Sequence, residues 1–190
     1  SLFSLERRLP TPREPALQAH LDRIKRNTEL AVRIASELLD LTRPRRAECV
    51  PTDLNALVRS LLEDQELGPG IEVLPELGAE VGLVPLDPIM LDRVLRNLLR
   101  NAVQAMAGRG ALRLSTRRSP GGVEIRVHDS GPGFPAADLV RVFEPLFTTR
   151  PEGAGLGLTI ARKLVEAHGG TIAAANPPGG GAEVTLFLPA

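Results

Sequence analysis

The sequence predicts an α+β fold, a two-layer α/β sandwich in which helices cover a sheet, preceded by one long helix. Two observations support this prediction. Residues 111–118 and 123–129 alternate apolar and polar side chains and are joined by the turn sequence SPGG at 119–122, which is typical of a β-hairpin. Helical patterns do not alternate regularly with the strand patterns, so a doubly wound parallel sheet is not expected.

The composition indicates a globular chain without a strong overall charge. It has 190 residues, 43% of them hydrophobic and 24% charged, which is enough for one good core and a smaller element. The 23 basic and 23 acidic residues cancel, so we expect neither a nucleic-acid surface nor an anionic-membrane surface. No apolar run approaches the roughly 18 residues of a membrane span. The single cysteine, Cys49, excludes an internal disulfide and favours a cytoplasmic location.

The N-terminal region predicts part of a helical bundle. Residues 1–9 have leucines at helical spacing, and this pattern ends before Pro10. Residues 16–41 form a long uninterrupted helical pattern. We expect this helix to form a homodimer through residues 16–42; the alternative is a helix packed on its own globular domain. The predicted dimer seam follows steps of three and four residues, at Leu17, Leu21, Ile24, Thr28, Ala31, Ala35 and Leu38.

The chain divides into three predicted regions, at residues 1–43, 44–52 and 53–190. They are a piece of the bundle, a linker containing Pro44 and Pro51, and a second domain. The chain begins at a serine and has no initiator methionine. We therefore expect a piece of a longer protein, whose upstream part could be anchored in a membrane.

Aspartates begin two helices of the second domain. Asp53 can cap a helix that runs to about Leu67, and Asp87 followed by Pro88 can begin the apolar-faced helix over 91–106. The other predicted elements lie between glycine- and proline-rich turns: strands at 71–77, 80–86, 171–176 and 182–189, a short helix before 143–150, and a helix at 158–169.

Two asparagines stand out within the helix at 91–106. Asn97 and Asn101 are four residues apart, so they project from one side of the helix, one turn above the other. Asparagine is a mediocre helix former, because its side chain competes for backbone hydrogen bonds. The pair could be two core-edge amides satisfied by a neighbouring loop, or two neutral oxygens directed at a hydrated Mg²⁺ and its phosphates.

Two glycine-rich segments follow the strand and precede the last helix. The sequence DSGPG at 129–133 puts a carboxylate at a strand end, where it can accept a hydrogen bond from an amine, before glycines that allow close backbone approach. The sequence GAGLGL at 153–158 opens a helix, so its amides are suited to an anion. Each motif alone is weak evidence, and neither a Walker A loop nor a Rossmann fingerprint is present.

Taken together, these stretches resemble the ATP-binding catalytic domain of sensor histidine kinases in the GHKL superfamily, and LLRNAVQAM resembles the nitrogen-sensor-like branch. The resemblance covers residues 53–189 and carries site roles with it. It implies that Asn101 coordinates Mg²⁺ with Asn97 beside it, and that Asp129 binds the adenine amine of ATP. The remaining implied nucleotide contacts lie in the segment after Asp129 and in the glycine-rich loop: Gly131, Gly133, Phe134, Arg150, Gly153, Gly155, Leu156, Gly157 and Leu158.

The same resemblance implies that Phe134, Phe143 and Phe147 belong to the hinge and lid over the nucleotide, and that Arg150 reaches the γ-phosphate as a catalytic group. The helix at 16–41 resembles the second helix of a dimerisation and phosphoacceptor bundle. The family's acceptor motif, H-E-x-x-N-P-L, is absent here, and His20 is followed by Leu21 instead of an acid. We therefore expect the acceptor histidine to lie upstream of Ser1, and the chain by itself not to autophosphorylate.

The expected reaction passes the ATP γ-phosphate to a bundle histidine and then to an aspartate of a response-regulator receiver domain. Two alternatives remain. One is a GHKL-type ATPase of the gyrase or chaperone kind, which would carry a glutamate as general base where this chain has Asn97. The other is a non-catalytic, nucleotide-sensing dimerisation module.

Overall fold

The structure is a computed structural model, and it describes residues 15–42, 46–65, 67–149 and 154–190. The predicted helical stretch at 1–9 lies outside the described residues. The helices that the structure describes are α1 (Pro15–Thr42), α2 (Leu54–Asp64), α3 (Pro88–Ala105) and α4 (Gly157–Ala167). The strands are β1 (Val50–Asp53), β2 (Ile71–Leu77), β3 (Leu83–Leu86), β4 (Gly110–Ser119), β5 (Gly122–Asp129), β6 (Thr171–Ala175) and β7 (Ala182–Pro189).

The main sheet has five strands in the order β2-β4-β5-β7-β6. Strand β2 runs parallel to β4, and the other neighbouring pairs are antiparallel. Strands β4 and β5 form the expected hairpin, with Ser119 opposite Gly122. Pro75 lies in the edge strand β2, where its missing N–H does not interrupt an interior ladder. This mixed order confirms the predicted α+β class.

One face of the sheet is apolar and carries the helical layer. Val123, Ile125 and Val127 alternate along the central strand β5 and are buried, and Ile125 lies opposite Leu186 of β7. Helix α3 packs on β5, and α4 packs on β6 and β7. The other face is polar; there Glu124 accepts from the Arg126 guanidinium at 2.6 Å. Because side chains alternate along a strand, one face can form the core while the other meets solvent.

Helix α3 contributes the widest apolar surface to this core. Leu91, Val94, Leu95 and Leu99 are fully buried, as their spacing of three and four residues predicts. Burial of each such side chain stabilises the fold by about 1.5–3 kcal/mol. The helix packs on α2, α4 and β5, so it occupies the centre of the domain.

Helices α2 and α3 begin directly after the two aspartates that were predicted to cap them. Asp53 Oδ1 accepts from the Ala56 amide at 2.9 Å at the start of α2, and Asp87 caps α3 ahead of Pro88. The expected end of α2 near Leu67 is wrong, because the helix ends at Asp64, where the following Gln65 takes an extended backbone conformation.

Two other sequence predictions differ from the structure. Residues 50–51 were expected in the linker, but they belong to β1, which pairs antiparallel with β3 in a separate two-stranded sheet. The short helix expected before 143–150 is absent from residues 134–149. That segment forms successive turns instead, each closed by a bond three residues apart, such as Arg141 N–H to Asp138 O at 2.8 Å.

The long helix α1 contacts α4 of the same chain. Leu21 is 4% exposed, whereas Ile24, the next residue of the predicted seam, is 49% exposed. Within the described part of the seam, Leu17 and Ala31 are also exposed. The seam is therefore divided: Leu21 is buried, and its seam neighbours Leu17 and Ile24 leave an apolar surface in solvent. No helix among the described residues is long and apolar enough to cross a lipid bilayer.

Asp87 connects the linker, α3 and the end of α4. Its Oδ1 accepts from the amides of Ile89 and Met90, each at 3.0 Å, and its Oδ2 accepts from the linker amide of Glu48 at 3.1 Å. Its own N–H donates to His168 Nε2 at 3.1 Å. Nδ1 of this histidine then carries the proton that is donated to a backbone carbonyl of α4, 2.7 Å away.

These contacts set the ionisation of Asp87. Burial raises the pKa of the carboxyl, but the amide hydrogen bonds from Met90, Glu48 and Ile89 lower it by more. The net pKa therefore lies below the ordinary value of about 3.9. A depressed pKa in the folded state stabilises the fold above that ordinary value, and the stabilisation is lost as the pH falls through the folded-state pKa.

We predict that Asp87→Ala lowers the free energy of unfolding by about 1–3 kcal/mol at pH 7, because a helix cap and the linker contact are lost together. The difference from the unmodified chain should shrink below about pH 4, where the native carboxylate protonates. Urea unfolding at several pH values measures this. Asp53→Ala is the matched control, since it removes a single cap bond. A difference that stays constant with pH would contradict the role given to Asp87.

Candidate functional site

A pocket of about 1190 Å³, including its open mouth, lies between α3, α4 and the end of β5. Segment 133–149 forms its outer wall. Eight of the sequence-predicted site residues line it: Asn101, Asp129, Gly133, Phe134, Gly155, Leu156, Gly157 and Leu158. Residues that are distant in sequence therefore converge on one cavity.

The polar residues of α3 divide between the pocket and its margin. Asn101 lines the pocket, as does Arg100 beside it. Asn97 is 8% exposed and is not among the lining residues; its Oδ1 accepts from Arg100 Nη2 at 3.0 Å. The structure therefore places Asn101 in the pocket lining, whereas Asn97 lies outside the lining and is bonded to Arg100.

Asp129 is a buried residue of the pocket lining. Strand β5 delivers it there as its last residue, and the residue is only 7% exposed. Its Oδ1 accepts from the Gly131 amide at 2.9 Å. A Cβ at Gly131 would lie 2.7 Å from that same oxygen, so the glycine allows this tight turn, although it is not itself a lining residue. The arrangement fixes a carboxylate in an apolar surrounding, where it is a strong acceptor.

Asn176, at the end of β6, holds the segment after Asp129. Its Oδ1 accepts from the Phe134 amide at 2.8 Å, and its Nδ2 donates to the Phe134 carbonyl at 2.6 Å. Sequence analysis missed this residue, because a lone asparagine before two prolines reads as an ordinary strand end. The paired hydrogen bonds fix Phe134 at the pocket wall.

The outer wall contacts α4 at Thr159 and the loop before α4 at Gly155. Thr159 Oγ1 donates to the Phe143 carbonyl at 3.1 Å. Gly155 has φ +66°, and a Cβ there would lie 2.5 Å from the Leu146 carbonyl carbon. The Arg141 guanidinium lies 4.6 Å from the centre of the Phe147 ring, which lines the pocket. The predicted lid is therefore packed directly on the glycine-rich loop.

The N-terminus of α4 differs from those of the other two domain helices. Asp53 and Asp87 cap α2 and α3, but no side-chain hydrogen bond caps α4, whose N-cap residue is Leu156. The first amides of a helix have no intrahelical acceptor, and they lie at the positive end of the helix dipole. The first residue, Gly157, lines the pocket, so these amides are directed to a site suited to an anion.

Gly157 also leaves room at this point. A Cβ there would lie 3.6 Å from Arg100 Nη2 and 3.7 Å from Asn101 Nδ2, which are ordinary contact distances. Contacts within the protein therefore do not require glycine at this position, and the Arg100 and Asn101 side chains lie beside the helix N-terminus. The oxygen of the Asn101 amide at the same place is of the kind that Mg²⁺ binds.

Two predicted residues, Arg150 and Gly153, lie outside the described residues. Five polar lining residues were not singled out from the sequence: Arg100, Gln104, Asp138, Thr148 and Thr149. The threonines belong to the FTTR stretch that carried part of the resemblance, and their spacing alone does not indicate a role. The pocket lining thus combines a buried carboxylate, Asp129, with side-chain amides and a guanidinium.

The comparisons with known proteins agree with this geometry. Residues 86–190 match the model of the family described as "Histidine kinase-, DNA gyrase B-, and HSP90-like ATPase". The chain is 40% identical over 167 residues to the sensor histidine kinase ZraS of Escherichia coli O157:H7, covering 83% of this chain and 35% of that protein. The chain therefore spans about a third of the length of that relative.

Two solved structures resemble the whole chain. The complex of histidine kinase ThkA with the response regulator protein TrrA has a TM-score of 0.79 at 26% identity, over 99% of this chain and 55% of that one. Full-length ShkA in complex with AMPPNP has a TM-score of 0.77 at 25% identity, over 95% of this chain and 41% of that one.

We predict that Gly155→Ala lowers the free energy of unfolding by about 1–3 kcal/mol, since the new methyl group would meet the backbone of the outer wall at a positive φ. Chemical denaturation measures this change. Gly179→Ala is the matched control, because nothing lies within 4 Å of its Cβ position and no positive φ is required there. Equal stability of the two variants would contradict the packing of this loop on the wall.

Proposed function

Because the chain belongs to the histidine kinase-, DNA gyrase B- and HSP90-like ATPase family, as a histidine kinase catalytic domain, we propose that it binds ATP and serves the phosphorylation of a histidine. The observation that carries this proposal is the polarity of the pocket. A buried carboxylate, Asp129, and the uncapped N-terminus of α4 both line this pocket. An adenine amine and a phosphate chain need these two partners.

Each lining residue then has a proposed part. Asp129 accepts from the adenine amine, and Phe134 with Phe147 covers the base. The amides at the start of α4 hold the phosphates, next to Gly155 and Gly157. Asn101 holds Mg²⁺ through its side-chain oxygen, and the bound ion neutralises charge on the phosphates. The roles expected for Arg150 at the γ-phosphate and for Gly153 stay proposals on residues that the structure does not describe.

We expect the phosphate to pass to a protein acceptor rather than to water. Asn97 is a neutral amide occupied by Arg100, and a neutral amide cannot take a proton from water. The proposed acceptor is a histidine of the helical bundle, in sequence upstream of residue 1. A receiver-domain aspartate of a response regulator would take the phosphate next, and the ThkA–TrrA complex supports a partner of that kind. A reaction that uses ATP in this way belongs in the cytoplasm.

The proposed organisation has three parts: a bundle piece at 1–43, a linker at 44–52 and the ATP-binding domain at 53–190. The linker amide of Glu48 donates to Asp87 Oδ2, so the linker contacts the ATP-binding domain at this residue. The exposed part of the α1 seam, which includes Ile24, is the proposed homodimer surface.

We predict that the chain binds ATP with Mg²⁺, and that Asp129→Asn raises the Kd by about tenfold or more because the charged acceptor for the amine is lost. Isothermal titration calorimetry measures this. Asp92→Asn is the matched control, since Asp92 pairs with Arg96 and does not line the pocket. No heat and no thermal shift at millimolar ATP would overturn the proposed function.

A second prediction concerns transfer. The chain as given should not acquire acid-labile label from γ-labelled ATP, since His20 lacks the acceptor context and both ring nitrogens of His168 are hydrogen-bonded. A chain extended upstream to include the acceptor helix should be labelled. Asn101→Ala in that longer chain should abolish the label while leaving the apolar face of α3 intact. Label mapped to His20 in the shorter chain would contradict the proposal that the acceptor histidine lies upstream of this chain.

A third prediction concerns assembly. Ile24→Asp should convert a dimer into a monomer that still binds ATP, because it puts a charge into the seam and spares the core of the ATP-binding domain. Light scattering at high protein concentration measures the mass. Val32→Asp is the control, since Val32 is exposed as well, at 66% against 49% for Ile24, but lies off the seam. An unmodified chain that is monomeric under these conditions would exclude this dimer surface.

A further inference from the structure

About one turn of α3 carries three polar residues, Asn97, Arg100 and Asn101, and the proposed function so far assigns a ligand only to Asn101. Arg100 Nη2 donates to Asn97 Oδ1 at 3.0 Å. Arg100 lines the pocket, whereas Asn97 is buried beside it. The Arg100 guanidinium is thus bonded to a neutral acceptor, and the same side chain lines the cavity.

The guanidinium ends beside the N-terminus of α4. Arg100 Nη2 and the Asn101 amide nitrogen lie 3.6 Å and 3.7 Å from the position that a Cβ on Gly157 would take. That helix end has no side-chain cap. The guanidinium and the first amides of the helix both donate N–H hydrogen bonds, so an anion with several oxygens can accept from both.

We propose that Arg100 binds the phosphate chain of ATP and that Asn97 is a positioning residue that holds the Arg100 guanidinium for this purpose. The inference rests on the proposed function. Arginine has five N–H donors in a fixed planar fork, so one can bond Asn97 while others face phosphate oxygens. Asn97 thereby acts on the nucleotide through Arg100 and not as a direct ligand.

This assignment also explains why residue 97 is neutral. A carboxylate at this position would form an ion pair with Arg100 and cancel the charge that the phosphates need. An amide fixes the guanidinium by a hydrogen bond without adding a negative charge of its own. Asn97→Asp therefore keeps the acceptor for Arg100 but should weaken ATP binding.

The test measures Kd values for ATP with Mg²⁺ by calorimetry and for adenosine by NMR titration. Arg100→Gln should raise the Kd for ATP by about tenfold or more and leave that for adenosine unchanged. Asn97→Ala should raise the Kd for ATP by a smaller factor. The double variant should bind ATP no more weakly than Arg100→Gln alone, because Asn97 acts through that side chain. Arg113→Gln is the matched control; it removes the same charge from an exposed pair with Glu76 outside the pocket lining and should bind both ligands normally.

The outcomes separate this inference from the proposed function. If the unmodified chain binds no ATP, the proposed function fails and the inference fails with it. If the unmodified chain binds ATP and Arg100→Gln binds it equally well, the inference alone is wrong. Equal weakening of ATP and adenosine binding would show a structural role for Arg100, and additive effects of the two substitutions would overturn the positioning role of Asn97. Asn97→Asp that binds ATP as well as the unmodified chain would also contradict it.

Discussion

The structure depends on the packing of α3 between the sheet and the other helices. Its leucines and valines fill the centre of the core, and its remaining side presents Asn97, Arg100 and Asn101 at the edge of the pocket. One helix thus fixes both the core and the polar end of the site. Because interiors are close-packed, a rotation of this helix would move its polar residues and disturb every layer at once. The site is therefore as rigid as the core at this wall.

The outer wall of the pocket is held by a few separate contacts and not by close packing in the core. Between Phe134 and Thr149 the chain has turns and no regular helix, and it is held at separate points by Asn176, Thr159 and Gly155. Each point is a backbone hydrogen bond or a close backbone approach, and few buried apolar contacts support it. Segments of this kind open locally at lower free energy than core strands. A wall that is fastened at points can admit a ligand without unfolding the sheet.

The contacts at Asp87 connect the long helix to this domain. The linker amide of Glu48, the start of α3 and the end of α4 meet at one carboxylate and the neighbouring His168. Helix α1 also contacts α4. Since α4 supplies the anion-binding end of the pocket, any movement of α1 or the linker bears on a helix that belongs to the site. The charged form of Asp87 keeps this junction closed at neutral pH.

The sequence by itself determined the features that depend on neighbouring residues. The hairpin at 119–122, the caps at Asp53 and Asp87, the apolar face of α3 and the α+β class follow from local periodicity and turn chemistry. The resemblance located Asp129, Asn101 and the glycine loop, which the fold brings into one pocket.

Only the tertiary structure decided the features that need partners far along the chain. Val50 and Pro51 read as linker because a four-residue strand has no recognisable period, and the pairing of β1 with β3 joins residues thirty or more positions apart. Nothing adjacent to Asn176 predicts its bonds to Phe134, and the spacing of Asn97 and Asn101 does not reveal that an arginine separates their roles. Local propensity limits which conformations a segment can take, but the direction of a side chain and its partner are set by packing between distant segments.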